Sequence, residues 1–559
     1  MAYQQLPLGT SDFKSLISQS KYYIDKTQLI DDVIHGSDVT LLPRPRRFGK
    51  TLNMSMLHYF FTNHQHNRHL FNGLAIENNA AAMAHCGQYP VIYLSFKDVK
   101  EACFDDVVRN ISALVKDLYV QHQAVWEDSQ LTDEDGAFID RIRQGTCDTV
   151  LLAASVKKLS QLLAAHYHQP VVILIDEYDM PINSAYTYGY YDELVGFLRN
   201  MLSGAFKDNP SLFKGVMTGI LRIARESIFS GLNNIEVCSL TEREFNHHFG
   251  FTSAETEQAL ADYGLTHTID SVRTWYNGYN FGGVTIYNPW SILHFIKKHG
   301  ELKPYWLNTS DNALVRDLIA RASPQVKQEL EALLVDKEAT VRKALNENIV
   351  FQDIHYSDDA IWNFLLFSGY LSYQNKALED KRIYADLCIP NLEVAAFYEE
   401  AVLTWFEQKA NATQRLPVIL EALLTRQFDY FCEAFELFAE ESFSYFDVTG
   451  KAAESFYHAF VLGMLVQLQP THSINSNRES GFGRYDVCLI PLDKSQPAFV
   501  FEFKKVSKRQ QETLESACDA ALTQIDKKQY VAELHALGIK SVYPIAIAFE
   551  GKRALVKVG

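Results

Sequence analysis

Apolar residues follow two patterns along this chain, and the contrast between them predicts its elements. Short runs dominated by apolar, β-branched and aromatic residues and bounded by turn residues read as buried strands, whereas apolar positions spaced by three and four read as helices packed on one side. The runs of the first kind are Val39-Thr40-Leu41-Leu42, Tyr89 to Phe96, Pro170 to Ile175 and Phe213 to Ile220. Between the second and third of these lie Phe104 to Trp126 and Val150 to His166, which have helical spacing. Strands separated by helices predict an α/β fold with a parallel sheet, whose ligand crevice lies at the C-terminal ends of its strands.

From about Leu240 to Tyr373 the pattern turns helical and aromatic. Asn288 followed by Pro289 reads as the capped start of a helix, and the alternating charges of Val326 to Asn346 read as a solvated helix face. The aromatic residues here lack interleaved basic ones, which favours core packing over base stacking and predicts a helical or winged-helix-like lid. After about Pro390 the chain changes again, with helices expected at Leu392 to Phe406, Phe428 to Phe443 and Glu454 to Leu465, and strands at Arg484 to Pro491 and Ala498 to Lys505. The expected domains are therefore 1–239, 240–385 and 386–559. Three domains agree with the three or four that 559 residues suggest at about 150 residues each.

The net charge of −16 argues against a protein that coats a polyanion, though not against a local basic groove. Eight scattered cysteines with no Cys-x-x-Cys pair point away from a zinc ribbon or a disulfide framework and toward a reducing compartment. No apolar run approaches membrane-spanning length, and the first residues lack the basic and apolar regions of a signal peptide. A cytoplasmic protein without membrane partners is expected.

Arg44-Pro45-Arg46-Arg47-Phe48-Gly49-Lys50-Thr51 follows the first strand and opens a helix. A turn ending Gly-Lys-Thr at that place cradles phosphate, because helix-start N–H groups, Lys50 and the Thr51 hydroxyl converge on phosphate and Mg²⁺. Arg44 occupies the position where the usual pattern has glycine, which makes a stiffer and more positive loop in which Arg44, Arg46 and Arg47 are candidates for phosphate contact, along with Gly49. The run ending in Asp176-Glu177 places Asp176 to coordinate Mg²⁺ with Thr51, and Glu177 to orient and deprotonate the attacking water. Thr218 is the one hydroxyl in the next strand and would sense the terminal phosphate. Arg222 and Arg225 follow it and could neutralise charge on the transferred group.

These segments, with Leu8-Gly9-Thr10-Ser11-Asp12-Phe13, Tyr23-Ile24-Asp25-Lys26-Thr27, Ser230-Gly231-Leu232-Asn233-Asn234 and Trp275-Tyr276-Asn277-Gly278-Tyr279, resemble the bacterial AAA-ATPase-like proteins that carry a C-terminal nuclease-like domain. The resemblance covers nearly the whole chain. It implies a P-loop ATPase core with a helical lid, and makes Arg44 a trait of the family's loop rather than damage to it.

A second chemical centre is expected near the end. Glu502 and Lys504 alternate onto one face of a strand, with Phe501 and Phe503 opposite, and Asp486 lies on the neighbouring strand. Two carboxylates and a lysine at one point hold Mg²⁺, or Mn²⁺ in its place, and activate water against a phosphodiester. Asp486…Glu502-Phe503-Lys504 resembles the PD-(D/E)XK nuclease signature and predicts a restriction-endonuclease-like α/β domain. Glu454 could add a carboxylate, Gln524 could approach from a helix, and Lys504, Lys505, Lys508 and Arg509 form a basic patch suited to nucleic acid.

The function expected is an ATP-hydrolysing protein coupled to a Mg²⁺-dependent nuclease, with DNA preferred to RNA as partner, in defence or repair. In a homo-oligomer a neighbouring subunit could supply an arginine to the ATP site. The competing expectation is a nucleotide-switched module whose nuclease-like domain grips nucleic acid or protein without cutting. A small-molecule phosphotransferase would leave Asp486, Glu502 and Lys504 without a role.

Overall fold

The computed structural model describes residues 3–63, 66–127, 131–222, 234–307, 312–335, 338–347, 357–398, 400–401, 412–442, 471–476, 479–480, 483–484, 486–506, 512–527, 530–551 and 553–559, with four further residues between 461 and 468. Two compact units emerge, one from residues 1–312 and 342–394 and one from 313–341 and 395–559.

The first unit is built on five parallel strands: β1 (Val39–Pro43), β2 (Val91–Ser95), β3 (Val171–Asp176), β4 (Leu212–Gly219) and β5 (Ile235–Val237), in the order β2-β3-β4-β1-β5. All five residues of β1 and all six of β3 are buried, which is why apolar residues dominate both sequences. The helices Phe104–Gln121 and Thr149–Tyr167 fall where the spacing places them. Asp148 starts the second of these by accepting Leu151 N–H at 2.8 Å.

The rest of this unit is more mixed than the expected helical lid. Short strands β6 (Phe251–Thr252), β7 (Tyr279–Phe281) and β8 (Val284–Tyr287) form one antiparallel sheet; β9 (Val341–Ala344), β10 (Ser372–Glu379) and β11 (Arg382–Cys388) form another. Asn288 does cap the helix Pro289–Lys297, accepting Trp290 N–H at 2.9 Å. The segment Val326 to Asn346, whose residues up to 341 belong to the second unit, is only partly helical: the helix runs Pro324–Val335, and β9 follows. Its charges there are cross-strand partners, since Arg342 pairs with Asp386 at 3.0 Å and with Glu379, while Lys343 lies 5.0 Å from the Trp362 ring centre. Charge alternation served a sheet as readily as a helix.

The second unit holds a mixed sheet, β12 (His472–Ser476), β15 (Val487–Pro491), β16 (Ala498–Lys505), β17 (Val542–Glu550) and β18 (Arg553–Val558), in that order, beside a small ribbon of β13 (Glu479–Ser480) and β14 (Gly483–Arg484). Alternation along β16 divides the two faces. Phe499, Phe501 and Phe503 join Phe431, Phe435 and Phe438 of the helix Phe428–Ser442 in one core. On the other face Val500 packs with Ile525, while Ala546 and Ala548 of β17 pack with Cys518 and Ala521, all three helical residues lying on Leu514–Lys527. Glu502 and Lys504 share that second face. Among the described residues no helix is long and apolar enough to cross a membrane.

One buried carboxyl ties the middle of the first unit together. Glu393 is fully buried and accepts Ser291 Oγ–H and Trp306 N–H, each at 2.7 Å. Burial pushes its pKa from 4.5 up to about 7, against the pull of these hydrogen bonds. A carboxyl raised in the folded state contributes stability that is complete below about 4.5 and is lost as pH rises through about 7. Glu393→Gln should therefore gain stability relative to the parent between pH 5 and 8, by roughly 1–3 kcal/mol. Urea unfolding at the two pH values measures the difference.

Candidate functional site

Strand β1 delivers the chain into the loop at Arg44, and Gly49 turns it into the helix Lys50–Phe61 with a left-handed φ of 91°. Glycine takes that conformation without a Cβ clash, leaving the first N–H groups of the helix open toward the sheet edge. Lys50 is buried, and its ammonium donates to the carbonyls of Arg44 at 2.9 Å and Pro45 at 3.0 Å. Burial lowers its pKa, while Glu177, Asp179 and Asp176 oppose that shift.

The strand order brings the acids to the same edge. Thr218 pairs in register with Leu42, and Met217 with Ile175, so Asp176 stands level with Thr218 at the end of the sheet. The Thr218 hydroxyl donates to Asp176 Oδ1 at 2.6 Å. Burial raises the Asp176 pKa, Thr218 pulls it down, and Thr51 adds a smaller hydrogen-bonding pull. The other oxygen, Oδ2, is buried without a hydrogen-bond partner. An orphaned carboxylate oxygen beside a threonine hydroxyl fits a hard cation such as Mg²⁺. Glu177 follows in a left-handed conformation, φ 52°, which costs a non-glycine residue about 1–2 kcal/mol and occurs where a site needs its side chain aimed.

The arginines of the loop part company. Arg44 is fully buried, and its guanidinium donates to the carbonyls of Pro43 at 2.8 Å, Cys238 at 2.7 Å and Phe245 at 3.3 Å, while lying over the rings of Phe249 and Phe281. The structure thus places it as a brace behind the loop, away from the phosphate contact expected of it. Arg46 is half-buried, and its carbonyl accepts the Trp306 indole N–H at 3.2 Å. Arg47 is exposed, with φ 68°, and stacks 4.6 Å from the Trp290 ring centre. Arg222 pairs with Glu347 at 3.5 Å. Arg225 and the motif at 230–234, apart from Asn234, lie outside the described residues.

In the second unit Val487 pairs antiparallel with Phe501, which sets Asp486 level with Glu502. Asp486 Oδ2 accepts the Phe503 N–H at 2.7 Å. Glu502 is only 2% exposed, and Lys504 Nζ stands 3.7 Å from its Oε1. Gln524, from the helix Leu514–Lys527, joins the two: its Oε1 accepts from Lys504 at 2.8 Å and its Nε2 donates to Glu502. Two carboxylates brought level on adjacent strands form an oxygen donor set that suits Mg²⁺ or Mn²⁺. Glu454, Lys508 and Arg509 lie outside the described residues.

Residues 7–229 match the family model described as a predicted AAA-ATPase, and residues 452–558 match that of the PD-(D/E)XK nuclease superfamily. The chain thus carries an AAA-ATPase-like region near its start and a PD-(D/E)XK nuclease-superfamily region toward its end. A protein of Azotobacter chroococcum mcd 1, described as an uncharacterized protein in the vnfD 5′ region, is 26% identical over 553 residues, which are 96% of this chain and 95% of that one. Two solved structures overlay at low scores. The Aeropyrum pernix ORC1 protein in complex with DNA has a TM-score of 0.23 and 11% identity, covering 67% of this chain and 90% of its own. A Pyrococcus horikoshii signal transduction ATPase with numerous domains and a tetratricopeptide repeat sensor has a TM-score of 0.24 and 10% identity, covering 80% and 54%. Scores this low decide nothing about the fold, which rests on the strand order above.

The AAA-ATPase-like region contains one group that sequence reasoning passed over. Asp179 is fully buried and accepts the N–H groups of Ile220 at 2.8 Å and Leu221 at 3.0 Å, fastening the end of β3 to the exit of β4. Tyr178 doubles the fastening by donating to Leu221 O at 2.6 Å. A Cβ on Gly219 would come within 2.7 Å of both residues, so glycine is what lets the two strand ends close. The signal was present in Asp176-Glu177-Tyr178-Asp179, whose last acid had no partner visible in the linear chain.

The bracing role of Arg44 predicts a split among the loop arginines. Arg44→Ala would leave three buried carbonyls short of a donor and should lower unfolding stability by roughly 2–5 kcal/mol, whereas Arg46→Ala should stay within about 0.5 kcal/mol. Denaturant unfolding of both variants without nucleotide measures this; equal stability would remove the brace.

Proposed function

We propose that this protein hydrolyses ATP at the Lys50–Asp176 cluster and uses its C-terminal domain as a metal-dependent nuclease on nucleic acid, DNA ahead of RNA, with nucleotide state governing cleavage. Defence or repair is the biology this pairing suits. The observation that carries the reading is the alignment of Asp486 with Glu502 across β15 and β16, with Lys504 beside them.

In the ATP site Lys50 exchanges its two loop carbonyls for phosphate oxygens, and the open N–H groups at the start of Lys50–Phe61 receive the same charge. Glu177 accepts the proton of the attacking water, and Thr218 holds Asp176 in place while facing the terminal phosphate. In the nuclease site Gln524 positions Lys504 against Glu502, and Lys504 stabilises negative charge that builds on the scissile phosphate. Thr51 and Asp176 in the first site, and Asp486 and Glu502 in the second, would hold a divalent ion, which would supply Lewis acidity there.

Purified protein incubated with plasmid, single-stranded DNA and RNA, with Mg²⁺ or Mn²⁺ and with or without ATP, tests the reading. Lys50→Ala and Glu177→Gln should each cut ATP turnover by at least about 10²-fold, and Glu502→Ala should cut cleavage similarly. Parent protein that cleaves none of these substrates with either ion, or cleavage untouched by Glu502→Ala, would sink the nuclease half. ATP turnover intact in Lys50→Ala would sink the other.

A further inference from the structure

We propose that Asp32, His247 and His248 form a site for one divalent transition ion of the Zn²⁺ class, separate from both centres above. The residues come from two distant stretches of the first unit: Asp32 from the helix Leu29–His35, and the two histidines from the segment between β5 and β6. One ligand atom from each lies within 4.8 Å of the others, and among the described residues no other three histidine, cysteine or acidic groups converge in this way.

The chemistry of the donors selects the ion. Two imidazoles and a carboxylate, with water in a fourth position, are the ligand set of Zn²⁺ and its neighbours rather than of Mg²⁺ or Ca²⁺. The His248 ring is buried, with Nε2 at 2.5 Å from Asp32 Oδ2. His247 Nδ1 meets Asn246 Oδ1 at 3.0 Å, which fixes that ring and leaves Nε2 to present a lone pair. The two rings lie 4.1 Å apart, centre to centre. Ligand atoms around a tetrahedral Zn²⁺ stand about 3.3 Å from one another. The Asp32–His248 pair therefore opens slightly and His247 swings inward, and both Asp32 and His247 border solvent, where such turns are cheap. The nearby ammonium of Lys26 is neutralised by both oxygens of Glu255, at 2.7 and 2.6 Å.

The segment so held braces the phosphate loop. Phe245 O accepts from Arg44 at 3.3 Å, His248 O accepts from Asn53 of the Lys50–Phe61 helix at 2.9 Å, and Gly250 N–H donates to Phe48 O at 2.9 Å. An ion at the three ligands ties the helix Leu29–His35 to that brace. The proposal does not depend on either catalytic reading.

The full chain, stripped with chelator and carrying Asp176→Asn and Glu502→Ala to weaken the two acidic centres, serves as parent and is titrated with Zn²⁺ by calorimetry and with Co²⁺ by visible absorption. The parent should take up one equivalent, show the absorption of four-coordinate Co²⁺, and melt at a higher temperature with Zn²⁺. His247→Ala and Asp32→Ala should each weaken binding at least about tenfold. His35→Ala, an exposed histidine on the same helix, should bind as the parent does. No uptake by the parent, uptake unchanged in His247→Ala and Asp32→Ala, or uptake lost in His35→Ala would overturn the site.

Discussion

The fold of the first unit depends on holding a desolvated lysine among three acids at the C-terminal edge of the parallel sheet. Burial drives Lys50 toward its neutral form and Asp176 and Asp179 toward theirs; the three acids oppose the shift at Lys50, while Asp176 is pulled back first by the Thr218 hydroxyl and Asp179 by the Leu221 and Ile220 N–H groups, with Lys50 adding a smaller pull on both. The strand order makes this proximity possible. With β4 between β1 and β3, the phosphate loop and the Asp176–Asp179 turn face each other across Thr218, and the same hydroxyl that separates them hydrogen-bonds the acid.

The substitution of arginine for the loop's first glycine is explained by what lies behind the loop. Glycine there lets a backbone pass close to phosphate, whereas Arg44 sends its guanidinium backward into carbonyls from the strand before it and from the segment after β5. Phe48 fixes the loop from the same side, packing edge-on to Tyr279. Gly250 lies so near that a Cβ there would come within 2.9 Å of the Phe48 ring. A stiff loop with a packed underside does by tertiary contact what a flexible glycine loop does by wrapping its ligand.

How much of this was legible depended on whether a residue's partner was near in sequence or in pattern. Strands β1 to β4 and the Gly-Lys-Thr turn could be read because burial writes short runs dominated by apolar residues. Glu502 and Lys504 could be placed on one face because strand alternation is a local rule, and Phe501 and Phe503 lie opposite as that rule requires. Asp179 and the true direction of Arg44 could not be read, since their partners stand 41 and 201 residues away. The strands β6 to β9 escaped because they are two to four residues long, so no period accumulates, and the charges of β9 imitate a solvated helix; β10 and β11 are longer, but most of β10 is exposed and writes no apolar alternation. β17 went unread for a different reason: its apolar run has no chemical motif to draw attention to it.

The self-bonded state of Lys50 has a thermodynamic meaning of its own. Two of its three N–H donors are engaged by the loop's own carbonyls, so the cradle contains its own competitor for any anion. A hydrogen bond from a charged donor is worth about 1.5–3 kcal/mol, and surrendering even one without replacement weakens binding by roughly 10- to 100-fold. A lone sulfate or phosphate, offering few contacts, recovers little of that. On the proposed reading, a nucleotide with several phosphates would recover it through the helix-start amides as well, and the loop would discriminate by the number of groups a ligand can satisfy at once.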